Sequence, residues 1–363
     1  MTTSSKPTEP RRLVHDPEGH NTAVWPMCPG EMITPVPAFF TRSHGPTPAV
    51  DPSTWRLEVD GLVERPATFS LAELAEVFPR REVTATLMCA GLRRDEFLAV
   101  GPLPGELPWG PEPVSTGRWR GFPLADLLRR VGVAPGASHV EFIGLDSVER
   151  LGQCFGFGGS IELEKAMGDE VLLATELNGR PLPPAHGFPL RMVVPGWIGA
   201  RSVKWLGRIR VAPEPSQNYF QARAYRMLAS TNPKEPRDIR EGTALTEVPL
   251  NAVILDPVAG AVLPAGHVRV RGWTMGPGMR HVAAVDVSVT GGRRWVRADI
   301  TEPTTGWTWG LWEATVELAP GDHVIMVRAT DQEGNTQPPV PGDTWNVKGY
   351  NNNAWHRVAV RAE

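Results

Sequence analysis

The sequence predicts an α+β protein, a mixed α/β unit followed by an immunoglobulin-like β-sandwich. Pro and Gly occur 37 times each, which favours turns and strands over long helices. Helical spacing is confined to two short stretches, both before residue 135, whereas strand-like runs recur at short intervals after residue 246. At 363 residues the chain is long enough for two domains.

The elements follow in order. Residues 1–45 are rich in Pro, Gly and polar groups and read as an N-terminal arm, extended rather than packed, with the compact fold beginning near Trp55. A strand over Trp55 to Val59 leads to Ser70-Leu71-Ala72-Glu73, a capping box that starts a helix running to about Phe78. Glu82 to Met88, dense in β-branched residues, is a strand that ends at Cys89. Leu124, Leu127, Leu128 and Val131 fall at helical spacing, with Pro123 at the start and Gly132 at the end. Strands are then expected over His139 to Leu145, Val171 to Leu177, Leu190 to Val194 and Val203 to Val211, completing a unit over 46–245. The polar stretch from Thr231 to Thr246 reads as a connection. In 246–363, strands are expected over Val268 to Trp273, Val282 to Val289, Ala314 to Leu318, Val324 to Ala329 and Ala354 to Val360. This is the pattern of a sandwich of about 110 residues.

Composition narrows the function classes. A formal charge of -3 offers no field for nucleic acid or an anionic membrane surface, and no apolar run approaches the roughly 20 residues of a membrane span. Arg11-Arg12 is a twin arginine with no apolar stretch behind it, so the expected location is cytoplasmic. Cys28, Cys89 and Cys154 lie far apart, with no disulfide framework, CxxC zinc site or CxxCH haem attachment; no haem is expected in this chain. A bound metal would need most of its ligands from elsewhere.

Three clusters carry candidate chemistry. Cys89-Ala90-Gly91-Leu92-Arg93-Arg94 places two guanidiniums behind a thiol, which favours the thiolate; a core cysteine with two surface arginines fits the same residues. Phe40 to His44, and His186 to Arg191 with Gly199 to Lys204, gather cations and donors in loops. They suit a phosphorylated ligand, or they are solvated surface.

Taken together these blocks resemble the sulfite oxidase family. Phe39 to His44 is similar to its FFxRNH, and Thr86 to Arg94 to its TLxCAGNRR. The stretch from Asn178 through His186-Gly187-Phe188-Pro189 and Val194-Pro195-Gly196 to Lys204-Trp205-Leu206 resembles the family's longest signature, and Trp345 to Val358 resembles WNLRG followed by NxAWHRV. The likeness covers roughly residues 30 to 360. It implies a molybdopterin-binding domain followed by a dimerisation sandwich, hence a homodimer. It also implies a pyranopterin molybdenum cofactor with Cys89 as the protein's metal ligand. Phe40, Arg42, His44, Asp146, His186, Arg191, Ser202, Val203 and Lys204 would contact the pterin or its phosphate. Arg42, Arg94 and Lys348 would meet sulfite or a similar small oxyanion, with Trp109 and Tyr225 lining the pocket. Electrons would leave to an external acceptor, oxygen or a carrier protein such as a cytochrome.

Three positions depart from the family's pattern: Ser43 and Leu92 stand where it has Asn, and Lys348 where sulfite oxidases have Arg. Lysine keeps the charge and loses the planar fork, so reduction of nitrate, another oxyanion or a sulfoxide on the same fold is the alternative. A noncatalytic cofactor-binding module and a metal-free cysteine hydrolase are weaker alternatives.

Overall fold

The structure, a computed structural model, describes residues 11–27, 30–228 and 238–363. Cys28, the first ten residues of the expected arm and Thr231 to Arg237 of the expected connection lie outside the described residues.

Two sheets build the first unit. One has the order Gly158–Glu162, His139–Gly144, Leu206–Ala212, Leu57–Gly61, Ala67–Phe69, with Leu206–Ala212 parallel to Leu57–Gly61 and antiparallel to His139–Gly144. The other runs Arg180–Pro181, Leu172–Leu177, Val114–Pro123, Arg81–Met88, with Arg191–Val193 paired to Leu172–Leu177. Their shared core joins Leu57, Val59, Phe142 and Ile209 of the first sheet to Phe122, Leu173 and Met192 of the second. The helices Leu71–Val77 and Leu124–Val131 insert Leu74, Leu127 and Leu128 into it, each fully buried. Burial of that kind stabilises by about 1.5–3 kcal/mol per large aliphatic side chain. Both helices start where the sequence places them. The Ser70 hydroxyl accepts from Glu73 N and the Glu73 carboxylate from Ser70 N, closing the capping box. Gly132, at φ +73°, ends the second helix.

The second unit packs Asn251–Asp256, Gly266–Met275, Gly310–Leu318 and Asp299–Glu302 against a five-stranded sheet. That sheet has the order Val262–Leu263, His356–Ala362, Gly321–Asp331, Val282–Ser288, Val296–Arg297. Inward residues alternate along the long strands, as in Val268, Val270, Ala314 and Val316, and fill the space between the sheets. This is the predicted sandwich. The strand Asn251–Asp256 was not predicted, because its buried face is nearly continuous (Ala252, Val253, Ile254, Leu255) and shows no alternation.

Two expectations are corrected. Residues 11–27 and 30–45 are not an extended arm. Arg11–Val14 and Thr22–Trp25 form a hairpin, Thr22 exchanges backbone bonds with Thr41, and Thr34 N donates to Thr116 O at 2.8 Å. Phe39 and Phe40 are buried with Trp119 and Leu177. The polar composition conceals this because the partners lie 75 or more residues away for contacts such as Phe40 N to Ser115 Oγ. Second, residues 203–205 are loop; the strand starts at Leu206, leaving Val203 and Lys204 facing a cavity.

The two units meet beneath Cys89. Met88, Ala90 and Leu92 pack with Val253, Trp273 and Tyr350, Asn351 N donates to Ala90 O at 2.7 Å, and Trp309 N donates to Thr86 Oγ1 at 2.9 Å. Leu92, where the family pattern has Asn, is 2 % exposed in this apolar junction.

Candidate active site

Cys89 follows the last residue of the strand Arg81–Met88, and its N–H donates to Pro113 O at 2.9 Å. The chain then turns sharply: Leu92 N donates to Cys89 O, and Arg93 takes φ +59°. Gly91 N donates to Cys89 Sγ at 3.4 Å. Arg93, Trp205 and Tyr225 all have positive φ near the site. Strain of this kind costs on the order of 1–3 kcal/mol per residue and is held by the surrounding packing.

Two cavities open on the thiol. One, of about 730 Å³, is lined by Phe40, Arg42, His44, Asp146, His186, Arg191, Ser202, Val203 and Lys204, together with Cys89 and Tyr225. Every residue assigned to the cofactor is therefore brought to one wall-to-wall pocket, although they come from four separated stretches of chain. The second, of about 680 Å³, is lined by Arg42, Arg94, Tyr225 and Lys348. Arg42, His44, Cys89 and Tyr225 line both, so the thiol stands at their junction.

Trp109 is a correction. It lines neither cavity. It is fully buried behind Cys89, its ring 4.1 Å from that of His15, and its backbone O accepts from Asp95 N. Its bulk backs the wall of the site rather than forming it. Conversely Glu106, Arg150, Phe157 and Tyr350 line the cavities and were not singled out. Tyr350 lies inside the motif block Trp345 to Val358 and was findable there. Arg150 sits on the hairpin Val148–Arg150 with Gln153–Phe155, for which the chain carries no signal.

The cavity lined by His186, Arg191 and Lys204 is electrically unfinished. Arg191 gives its donors to backbone oxygens of His186, Ser202 and Met192 at 2.8, 3.0 and 3.2 Å and lies over Trp119; it has no carboxylate partner among the described residues. Burial pulls it down to about 9. Lys204 Nζ donates to Ser43 Oγ at 2.6 Å and Ala185 O at 2.9 Å, and burial beside Arg191 lowers it well below the usual amine range. Ser43 thus serves Lys204 with a hydroxyl where the family pattern has an amide. His186 is held down to about 3 by burial and by Arg191 and Lys204. Asp146, the one acid on this wall, accepts from Phe157 N at 2.9 Å and is raised by burial. A polyanion inserted here would reverse the downward shifts of Arg191, Lys204 and His186, and a phosphorylated pterin with a soft metal beside a thiolate fits that donor set.

At the junction, His44 Nδ1 lies 3.3 Å from Arg42 Nη2 and 3.4 Å from Arg150 Nη2. Guanidinium nitrogens only donate, so Nδ1 accepts, and Nε2–H donates to Tyr225 Oη at 2.9 Å. Burial, then Arg42 and Arg150, keep this histidine neutral. Tyr225, pushed up to about 12 by burial, retains its phenolic proton and is free to donate it into the cavity.

The pattern of the oxidoreductase molybdopterin binding domain matches residues 44–220, and that of the Mo-co oxidoreductase dimerisation domain matches 242–363. The chain is 42% identical over 335 residues to sulfite oxidase of Gallus gallus, covering 90% of this chain and 72% of that protein. It is 41% identical to the mitochondrial sulfite oxidase of Homo sapiens, covering 90% and 61%. A nitrate reductase [NAD(P)H] of Hordeum vulgare is 39% identical, over 90% of this chain and 39% of its own length. Among solved structures, the sulfane dehydrogenase SoxCD from Paracoccus pantotrophus superposes with a TM-score of 0.79 at 25% identity, over 97% of this chain and 88% of that one.

Proposed function

The chain belongs to the sulfite oxidase family of molybdopterin oxidoreductases, and from that premise we propose that it oxidises sulfite to sulfate and passes the electrons to a separate acceptor. The observation that carries the reading is the thiol of Cys89 at the meeting point of a donor-lined cavity and a cation-lined one.

When bound, the cofactor supplies oxygen-atom transfer and two-electron redox chemistry. Phe40, Arg42, His44, His186, Arg191, Ser202, Val203 and Lys204 would hold it, with Cys89 as the soft ligand to the metal. The protein's own work is to collect and orient the anion. Arg42, Arg94, Arg150 and Lys348 oppose its charge. Tyr225, whose oxygen already accepts from His44, would give a hydrogen bond to a substrate oxygen and keep its proton. The net change is SO₃²⁻ + H₂O → SO₄²⁻ + 2 H⁺ + 2 e⁻. The electrons would pass to an external acceptor, oxygen or a carrier protein such as a cytochrome. The sandwich would pair two copies.

Nitrate reduction is the second reading, favoured by one feature: Lys348 Nζ is bound to Glu106 at 2.9 Å and is not a free cation. An anaerobic sulfite titration of the metal-loaded protein separates the two. Bleaching of the thiolate-to-metal absorption at about one sulfite per chain is expected; a band that sulfite leaves unchanged and nitrate restores after chemical reduction would replace the sulfite reading.

A further inference from the structure

We propose that Glu106 determines the anion affinity of the substrate pocket: its carboxylate holds the position between Arg94 and Lys348, and an oxyanion reaches those two cations by displacing it. The inference rests on the reading of the cavity lined by Arg94 and Lys348 as the place where an anionic substrate binds.

Glu106 is the one acidic residue lining that cavity among the described residues, and it faces both cations. Its Oε1 lies 2.9 Å from Lys348 Nζ and its Oε2 3.5 Å from Arg94 Nη2. Two oxygens bridging two cations is the arrangement an oxyanion would adopt. Arg94 has little else to offer. Its Nε donates to Gly349 O at 3.2 Å and its Nη1 to Leu107 O at 2.9 Å, so Nη2, the donor not given to the backbone, is the one facing Glu106.

The arginine cannot give way. A Cβ on Gly91 would lie 2.8 Å from its Cζ, and one on Gly349, at φ +59°, would lie 2.7 Å from its Cγ, so backbone packs closely on the guanidinium at one end and on the stem at the other. The carboxylate can. Glu106 follows Gly105, which has φ +76° and open space around it, and the Glu106 side chain keeps 15% of its surface in contact with water. Lysine at 348 matters here. A guanidinium could serve a carboxylate with one edge and a ligand with the other, whereas an ammonium turned to Glu106 has its charge largely offset there.

Substrate and product are both oxyanions. An internal carboxylate therefore competes with both, weakening capture of one and retention of the other. Removing its charge while keeping its shape should tighten both by a similar factor.

The test is E106Q in the metal-loaded protein, with metal content matched to the parent. Isothermal titration calorimetry gives Kd for inorganic sulfate, and steady-state assay gives KM for sulfite separately from kcat. Both constants are expected to fall about tenfold, the worth of one charge-assisted contact near 1.4 kcal/mol. The gain should shrink when Lys348 is also replaced (K348M), since the carboxylate then guards one cation. E106D, which withdraws the charge by one methylene, should shift both constants the same way by less and covers the case in which E106Q misfolds. Sulfate bound no more tightly by E106Q and E106D than by the parent would overturn the proposal. Should no variant oxidise sulfite while the sulfate constants move as stated, the role of Glu106 stands and the sulfite reading falls.

Discussion

Arg93 and Arg191 are both buried, at 0% and 5% exposure, yet the protein completes one and leaves the other open. Arg93 meets Glu96 through two contacts of 2.6 and 2.8 Å, gives a third bond to Asn251 at 2.9 Å, and its backbone O accepts from Asn352. That network ties the Cys89 loop to the sandwich. Arg191 has only backbone oxygens and an aromatic face, and its neighbours Lys204 and His186 are all pushed toward their neutral forms. A closed network of buried charge fixes the position of the loop; an open one specifies a ligand. Both lie within a few residues of cavity-lining groups, and the difference shows which buried charges are structural and which wait for a partner.

Four experiments would break or sharpen this contrast. The largest effect is expected at the thiol. Cys89→Ser should lower turnover by more than about 100-fold, beyond the range of changes outside the ligand sphere, while circular dichroism shows the fold retained. Full activity in that variant would remove the centre of the argument.

Next come the two arginine clusters. Glu96→Ala leaves Arg93 buried and unpaired and should cost about 3–5 kcal/mol by urea unfolding, with or without cofactor. Arg191→Met should cost little in cofactor-free protein, because it replaces an uncompensated cation, and should abolish cofactor retention. Equal destabilisation of the cofactor-free protein by both would erase the distinction.

The third concerns pH. His186 falls to about 3, against about 6.5 for an unfolded histidine. A depressed histidine contributes stability that is complete above 6.5 and is lost as pH falls toward 3, since the unfolded chain binds the proton first. His356, in the sandwich, shifts equally, through burial and then Arg93. An anion beside His186 would raise its folded value, whereas His356 has Glu96 beside it whether or not the cavity is filled. Melting temperature should therefore fall less steeply between pH 6.5 and 4 in the loaded protein than in the cofactor-free one. Parallel curves would mean that the cavity does not sense the ligand's charge.

The smallest effect lies far from both clusters. Ser70→Ala removes a cap and should cost about 1 kcal/mol with unchanged sulfite kinetics; a change in KM would show that the first helix communicates with the site.

The sequence by itself determined those features that depend on near neighbours. The Ser70 box, the Pro123-to-Gly132 helix, the alternating strands of the sandwich and the strand end at Cys89 are dictated by contacts a few residues apart, and motif blocks carried the cofactor wall residue by residue. Tertiary structure alone decided the rest. The arm packs because its donors find acceptors in distant strands, Trp109 retreats behind the wall because its ring has His15 and the core to cover it, and Arg150 enters the pocket from a hairpin with no motif. Glu106 meets Lys348 across 242 residues of sequence. Charge and hydrogen-bonding partners at that separation leave no periodic trace in a single chain, because which groups meet is fixed by the packing of whole sheets rather than by spacing along the backbone.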